Sequence, residues 1–217
     1  MASKKTKRLK VLVDNTYRSV YIISMSDTKD EKSNKRQELL KVALLLFSER
    51  GYNGTSVQEI VNFAGVAKPT LYYFFKNKEG IYATLWQENF VPFYESLQKI
   101  AVYNPHPAEY EKDLFAQLTV IAQKYYDFAK TQPIFYQLML SLQFSPKNVE
   151  GIGLIQKLYG KQFTLIKNFF DQAAKEHGNL QNKTELLSNL FVANVYAGIE
   201  SLIEPTEIVK LFMHGIF

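Results

Sequence analysis

The chain has 217 residues, 47% of them apolar and 22% charged, which excludes wholesale disorder and collagen-like structure and suits one domain or two small ones. It contains no cysteine, so disulfide frameworks, thiolate metal sites, iron–sulfur clusters and cysteine nucleophiles are excluded. Charge is uneven: residues 1–80 carry 15 basic against 8 acidic groups, and the remainder 11 against 13, so a polyanion-binding head on a body with another role is expected.

Residues 1–32 open with Lys4, Lys5, Lys7, Arg8 and Lys10, pass through the β-branched patch Val20 to Ile23, and end in a polar stretch. No helical period runs through them and no strand pair with hairpin chemistry is apparent. They read as a disordered basic tail, or as an extension ahead of a true start at Met25. Nothing approaches the roughly 20 apolar residues of a bilayer helix. A soluble, cytoplasmic protein without a membrane partner is expected.

From Ser33 the pattern turns helical. Leu39, Leu40, Ala43, Leu44 and Phe47 form one apolar stripe, and Gly51 is placed to close that helix. Ser56-Val57-Gln58-Glu59 has the spacing of a capping box and predicts a short helix to about Phe63. Ala64-Gly65-Val66 then turns the chain, with small residues expected to let two helices approach closely. Pro69 suits the first turn of a third helix, anchored inward by Leu71 and Phe75. Asn77 is placed to cap a fourth helix from Lys78.

The remainder predicts long helices over about 78–102 (kinked at Pro92), 108–131, 134–143, 152–177, 184–203 and from 205 towards 217, with breaks at Pro-, Gly- and Asn-rich turns. The fold class is all-α: a three-helix helix-turn-helix head over 33–80 and a helical body over 81–217. In the head, Lys68, Pro69, Thr70, Tyr72 and Tyr73 face outward, a surface able to bind phosphates and touch base edges. Lys76 and Lys78 add charge, the latter at a helix N-terminus with its own anion-binding amides.

The residues Ala43…Phe47…Gly51-Tyr52…Thr55-Ser56-Val57…Ile60…Ala64-Gly65-Val66-Ala67-Lys68…Leu71-Tyr72-Tyr73…Phe75-Lys76-Asn77-Lys78-Glu79 resemble the DNA-binding head of the TetR family of transcriptional repressors. The likeness covers about a quarter of the chain. It implies phosphate contacts from Ser56, Tyr72, Tyr73 and Lys78, and base-edge or nearby contacts from Lys68, Pro69 and Thr70. Phe74, where the family often has histidine, and Pro69, where it often has a small residue, depart from the pattern and bear on the choice of operator.

The resemblance further implies a homodimeric repressor bound to a palindromic DNA operator and released by a small-molecule effector. A ligand-independent regulator, or a small helical enzyme carrying the head as an accessory, are the alternatives. The body is aromatic-rich, and an apolar or aromatic effector is expected in a cavity lined by Trp86, Phe90, Tyr125 and Phe128 together with Phe135, Tyr136, Met139 and Phe163. In 184–203, Leu187, Leu190, Phe191, Asn194, Val195 and Gly198 trace a stripe read as the dimer interface, the competing reading being the body's own core. His106, His177 and His214 show no ligand spacing and read as loop or surface residues. No P-loop, nucleophile elbow, metal motif or cofactor motif is present, and no catalytic residues are assigned.

Overall fold

The computed structural model describes residues 9–13, 20–24, 31–106, 108–109, 113–143 and 151–214. From residue 31 on, every regular element among them is helical, as expected: α1 (Glu31–Arg50), α2 (Val57–Ala64), α3 (Lys68–Phe75), α4 (Lys78–Ile100), α5 (Leu114–Thr131), α6 (Pro133–Gln143), α7 (Gly153–Ala173), α8 (Thr184–Glu200) and α9 (Pro205–His214), with a 3-10 turn at Gly178–Leu180.

Ahead of α1 the expectation of no strand pair is corrected. β1 (Leu9–Val13) and β2 (Val20–Ser24) pair antiparallel, with Leu9 opposite Ser24 and Val13 opposite Val20. Their Val, Leu, Ile and Tyr residues suit a pleated strand, while no two-residue turn signature announces a hairpin. The rest of the predicted tail lies outside the described residues, except that α1 begins at Glu31 and so takes in Lys32.

Helices α1 to α3 make the head. Within it, α1 packs on α2, α3 and α4, and it also lies against α6 of the body. The 23-residue α4 runs through Pro92 as one element, about 35 Å long at 1.5 Å per residue, and joins the head to α5 and α7. Helices α5, α7, α8 and α9 pack around one another at the far end. A second head–body contact is made by Gly151, at φ +84°, where a Cβ would lie 2.6 Å from the Tyr52 hydroxyl. Among the described residues, no helix is long and apolar enough to cross a membrane.

Helix α5 starts at Leu114, six residues later than predicted, and Asp113 at its N-cap turns its carboxylate elsewhere. It accepts from the Tyr103 hydroxyl at 2.7 Å and lies 2.8 Å from His177 Nε2, which is itself 3.0 Å from the Tyr103 oxygen. His177 lies in the loop after α7, as expected, and there it is a half-buried latch to the start of α5. The sequence hides this because its partner lies 64 residues away.

Candidate nucleic-acid interface

The second helix of the head is set by its first residue. Ser56 has extended backbone, its hydroxyl oxygen accepts from the Glu59 amide at 3.2 Å, and Glu59 Oε2 accepts from the Ser56 amide at 2.9 Å. This is the reciprocal box the sequence predicts. The Ser56 hydroxyl also donates to Glu59 Oε2 at 2.7 Å, and Arg50 pairs with Oε1 at 2.8 Å. The Ser56 bonds first, and then Arg50, hold the Glu59 carboxyl below its usual range. The hydroxyl expected on a phosphate is thus engaged in the cap.

Gly65 ends α2 at φ +67°, and its amide bonds back to Asn62 and Val61. Nothing stands within 4 Å of where a Cβ would be, so the glycine is required by the left-handed turn, not by the close helix approach expected of it. The close approach is at Gly80, in the first turn of α4, where a Cβ would fall 1.8 Å from the Phe75 carbonyl oxygen. Asn77 caps that turn as predicted, its Oδ1 accepting from the Gly80 amide at 2.7 Å.

Leu71 and Phe75 are buried, which fixes the rotation of α3 and turns its other face out. Tyr73 is 66% exposed and Tyr72 44%. Lys68 and Pro69 are exposed and Thr70 is half-buried. Lys68 Nζ lies 5.9 Å from the centroid of the Tyr72 ring. Phe74 is half-buried between Tyr73 and Phe75, with ring centroids 5.0 and 6.0 Å away. Lys76 is exposed at the end of α3, at φ +66°.

Two lysines differ from expectation. Lys78 points inward: Nζ donates to the Tyr52 carbonyl at 3.0 Å and the Thr55 carbonyl at 3.1 Å. Burial lowers its pKa. Two of its three donors are spent inside the head, so it acts first as a strut. Lys32, missed in the polar stretch before α1, donates to the Tyr73 hydroxyl at 3.0 Å and adds a cation beside α3. Its signal was compositional only, one basic residue among several before the first apolar stripe.

In the body, the eight residues expected around an effector belong to the packed core. Trp86, Phe90, Tyr125, Phe128, Phe135, Tyr136 and Met139 are buried, and Phe163 is half-buried. A cavity of about 410 Å³ lies instead at the far end, lined among others by Asp113, Leu118, Phe170, His177, Leu187 and Phe212. Another of about 350 Å³ lies between α4 and α5 around Pro92, Phe93 and Phe128. Phe128 is the member of the expected set that borders either of these two cavities. Of the expected dimer stripe, Phe191, Val195 and Gly198 are buried within the subunit, and a Cβ on Gly198 would meet Ile208 and the Tyr126 hydroxyl. Leu187 and Asn194 are half-buried and Leu190 is 44% exposed. Apart from Leu190, that stripe lies on the inward face of α8. Its outward face carries Leu186, Leu190, Ala193 and Ala197.

Residues 39–85 match the family model of bacterial regulatory proteins of the TetR family. Over 60 residues the chain is 42% identical to the HTH-type transcriptional regulator AcrR of Shigella flexneri, a match spanning 28% of each chain. It is 25% identical over 140 residues to the biofilm operon negative regulator IcaR of Staphylococcus aureus, covering 64% of this chain and 70% of that protein. The fold is also that of the Bacillus subtilis transcriptional regulator FadR, solved with stearoyl-CoA, at a TM-score of 0.59 and 17% identity over 83% of this chain and 99% of that one. The capped α2, the left-handed turn at Gly65 and the outward-facing α3 all lie within the residues that match, so the head is of the TetR-family type.

Proposed function

We propose that the chain is a homodimeric repressor that reads a palindromic operator and leaves it when a small molecule binds the body. The observation that carries the DNA side is the outward face of α3, where Lys68, Tyr72 and Tyr73 stand exposed on a helix pinned from behind by Leu71 and Phe75. Lys68, Lys76 and Lys32 supply phosphate attraction, and Pro69, Thr70 and Tyr72 the base-edge contacts. One such helix reads few base pairs, so two heads about 34 Å apart are needed for an operator.

A second copy of the chain seats on the outward face of α8. Leu186 is 59% exposed, Leu190 44%, and Ala193 and Ala197 continue the row at helical spacing. Leu154 on α7, the helix packed on α8, is likewise exposed. Small residues there allow close helix approach across a two-fold axis. Effector control is supported by the direct packing of α1 on α6 and of Tyr52 on Gly151, through which a change in the body shifts the head.

Selection of DNA fragments from random sequence, followed by footprinting, tests the reading. A palindrome protected at two half-sites is the expected result. Equal binding of selected and random DNA at moderate salt overturns it.

A further inference from the structure

The far-end cavity, about 410 Å³, has the size of a small-molecule site. Its apolar lining joins the buried Leu118 and Phe170 to the half-buried Leu187, Phe212 and Met213. Trp86 and Phe90, in the packed core, have no exposed surface left to give. The half-buried residues of the cavity still keep apolar surface in water, and a ligand seated there would cover it. The polar lining is uneven in charge. Asp113, its one acid, is 3% exposed, and its two oxygens already accept from Tyr103 and His177. Lys183, just ahead of α8, is exposed, and its ammonium has no partner among the described residues. The side-chain amide of Asn179 is likewise unengaged among them. His177 is steadied through Nε2, which donates to Asp113 because a carboxylate only accepts. His214 is the remaining titratable group of the lining.

We infer that this cavity binds an amphipathic monocarboxylate, an aryl or alkyl acid. Its apolar body lies on Leu187, Phe212 and Met213, and its carboxylate meets the Lys183 ammonium and the Asn179 amide. The inference rests on the effector reading above and deepens it by giving that ligand a place and a charge. The place follows from the volume and from the apolar surface left wet inside it. The charge follows from the lining. Its acid is closed off by its own partners, whereas its lysine is open and unpaired. A carboxylate gains a charge-assisted hydrogen bond there, an alcohol only a weaker one, and an amine meets like charge.

Three probes of one skeleton are titrated into the full chain by calorimetry: 4-phenylbutyrate, 4-phenylbutan-1-ol and 4-phenylbutylamine. The acid is expected to bind about tenfold more tightly than the alcohol, the discrimination of one charge-assisted hydrogen bond, and the amine most weakly. Lys183→Met should bring the acid level with the alcohol while leaving alcohol binding in place. That side chain is exposed and unpaired, so the fold is not at stake. Imidazole NMR locates the ligand, since the chain has three histidines and two of them, His177 and His214, line the cavity. Their signals should move on adding the acid, and that of His106, outside the lining, should move least. Equal binding of acid and alcohol, preference for the amine, or no binding of the acid overturns the inference. An undiminished acid preference in Lys183→Met, or shifts confined to His106, does the same. An acid that binds selectively in the cavity yet leaves operator binding unchanged overturns effector control and not the ligand chemistry.

Discussion

The ammonium of Lys78 lies 4.1 Å from the centroid of the Tyr52 ring while donating to the carbonyl of the same residue. One side chain at the start of α4 thus fastens the α1–α2 turn by charge, ring and backbone at once. Lys78→Met keeps the stem and removes the donors, taking one hydrogen bond from each of the Tyr52 and Thr55 carbonyls. A loss of about 1–3 kcal/mol in denaturant unfolding is expected, with the salt dependence of DNA binding little changed. A drop of a full unit in that salt slope, without loss of stability, would return Lys78 to the phosphate contacts.

Tyr73 and Lys68 should behave in the opposite way. Both are exposed and make little of the core, so Tyr73→Ala and Lys68→Ala should melt within a degree or two of the parent. Lys68→Ala should lower the salt slope by about one unit across all DNA sequences. Tyr72→Ala should change the ranking of selected operators. Filter binding over a salt series separates the three.

Two glycines of the head predict different penalties. Gly65→Ala meets open space and only backbone strain, about 1 kcal/mol. Gly80→Ala must push the end of α3 off the first turn of α4, because the Phe75 carbonyl occupies the place of the new methyl. It should lose several times as much stability, and DNA binding with it, since that carbonyl closes the helix bearing Tyr72 and Tyr73. Equal melting temperatures for the two variants would refute this ordering.

The capping box sets an acid limit on the head. Glu59 has a folded pKa below its unfolded one, through Ser56 first and Arg50 after it. Its contribution is therefore complete above the ordinary glutamate range and disappears as pH falls through the lowered value. Glu59→Gln should remove that part of the acid dependence. Thermal melts between neutral pH and about pH 3 are the measurement.

The faces of α8 can be told apart by charge. Leu190→Asp and Ala193→Glu should yield folded monomers in sedimentation that bind operator poorly. Phe191→Asp should unfold the subunit, because that ring is wholly enclosed and packs on Phe170 and Phe212. Tight dimers from both outward variants would move the interface elsewhere.

The head was legible because its signals are local. A serine three residues before a glutamate, an asparagine before a helix and a Leu–Phe pair four apart each carry their geometry within one or two turns. The body was less so. Helix α8 has apolar side chains on nearly every side, Leu186, Leu187, Leu190, Phe191, Val192 and Val195 among them, so periodicity finds a stripe without saying which partner covers it. The aromatic residues expected around an effector are packed core, and the buried Gln162 with its Tyr125 and Tyr196 bonds stands out only once α5, α7 and α8 come together. The inward bonds of Lys78 and the Asp113 contact of His177 were illegible for a related reason, since carbonyls 23 and 26 residues away and a carboxylate 64 away leave no local trace.

The apolar interior runs unbroken from Leu39 and Phe47 in α1, through Ile60 and Leu71, along Trp86 and Phe90, to Phe191 and Val209. Head and body are thus one cooperative unit and not two beads on a string. Energy gained by filling the body is held by the head as well, and a peptide cut after α3 would forfeit the floor on which α1 rests. Heat should therefore melt both parts in a single step, and mutations deep in the body should lower the abundance of the head long before they alter what it binds.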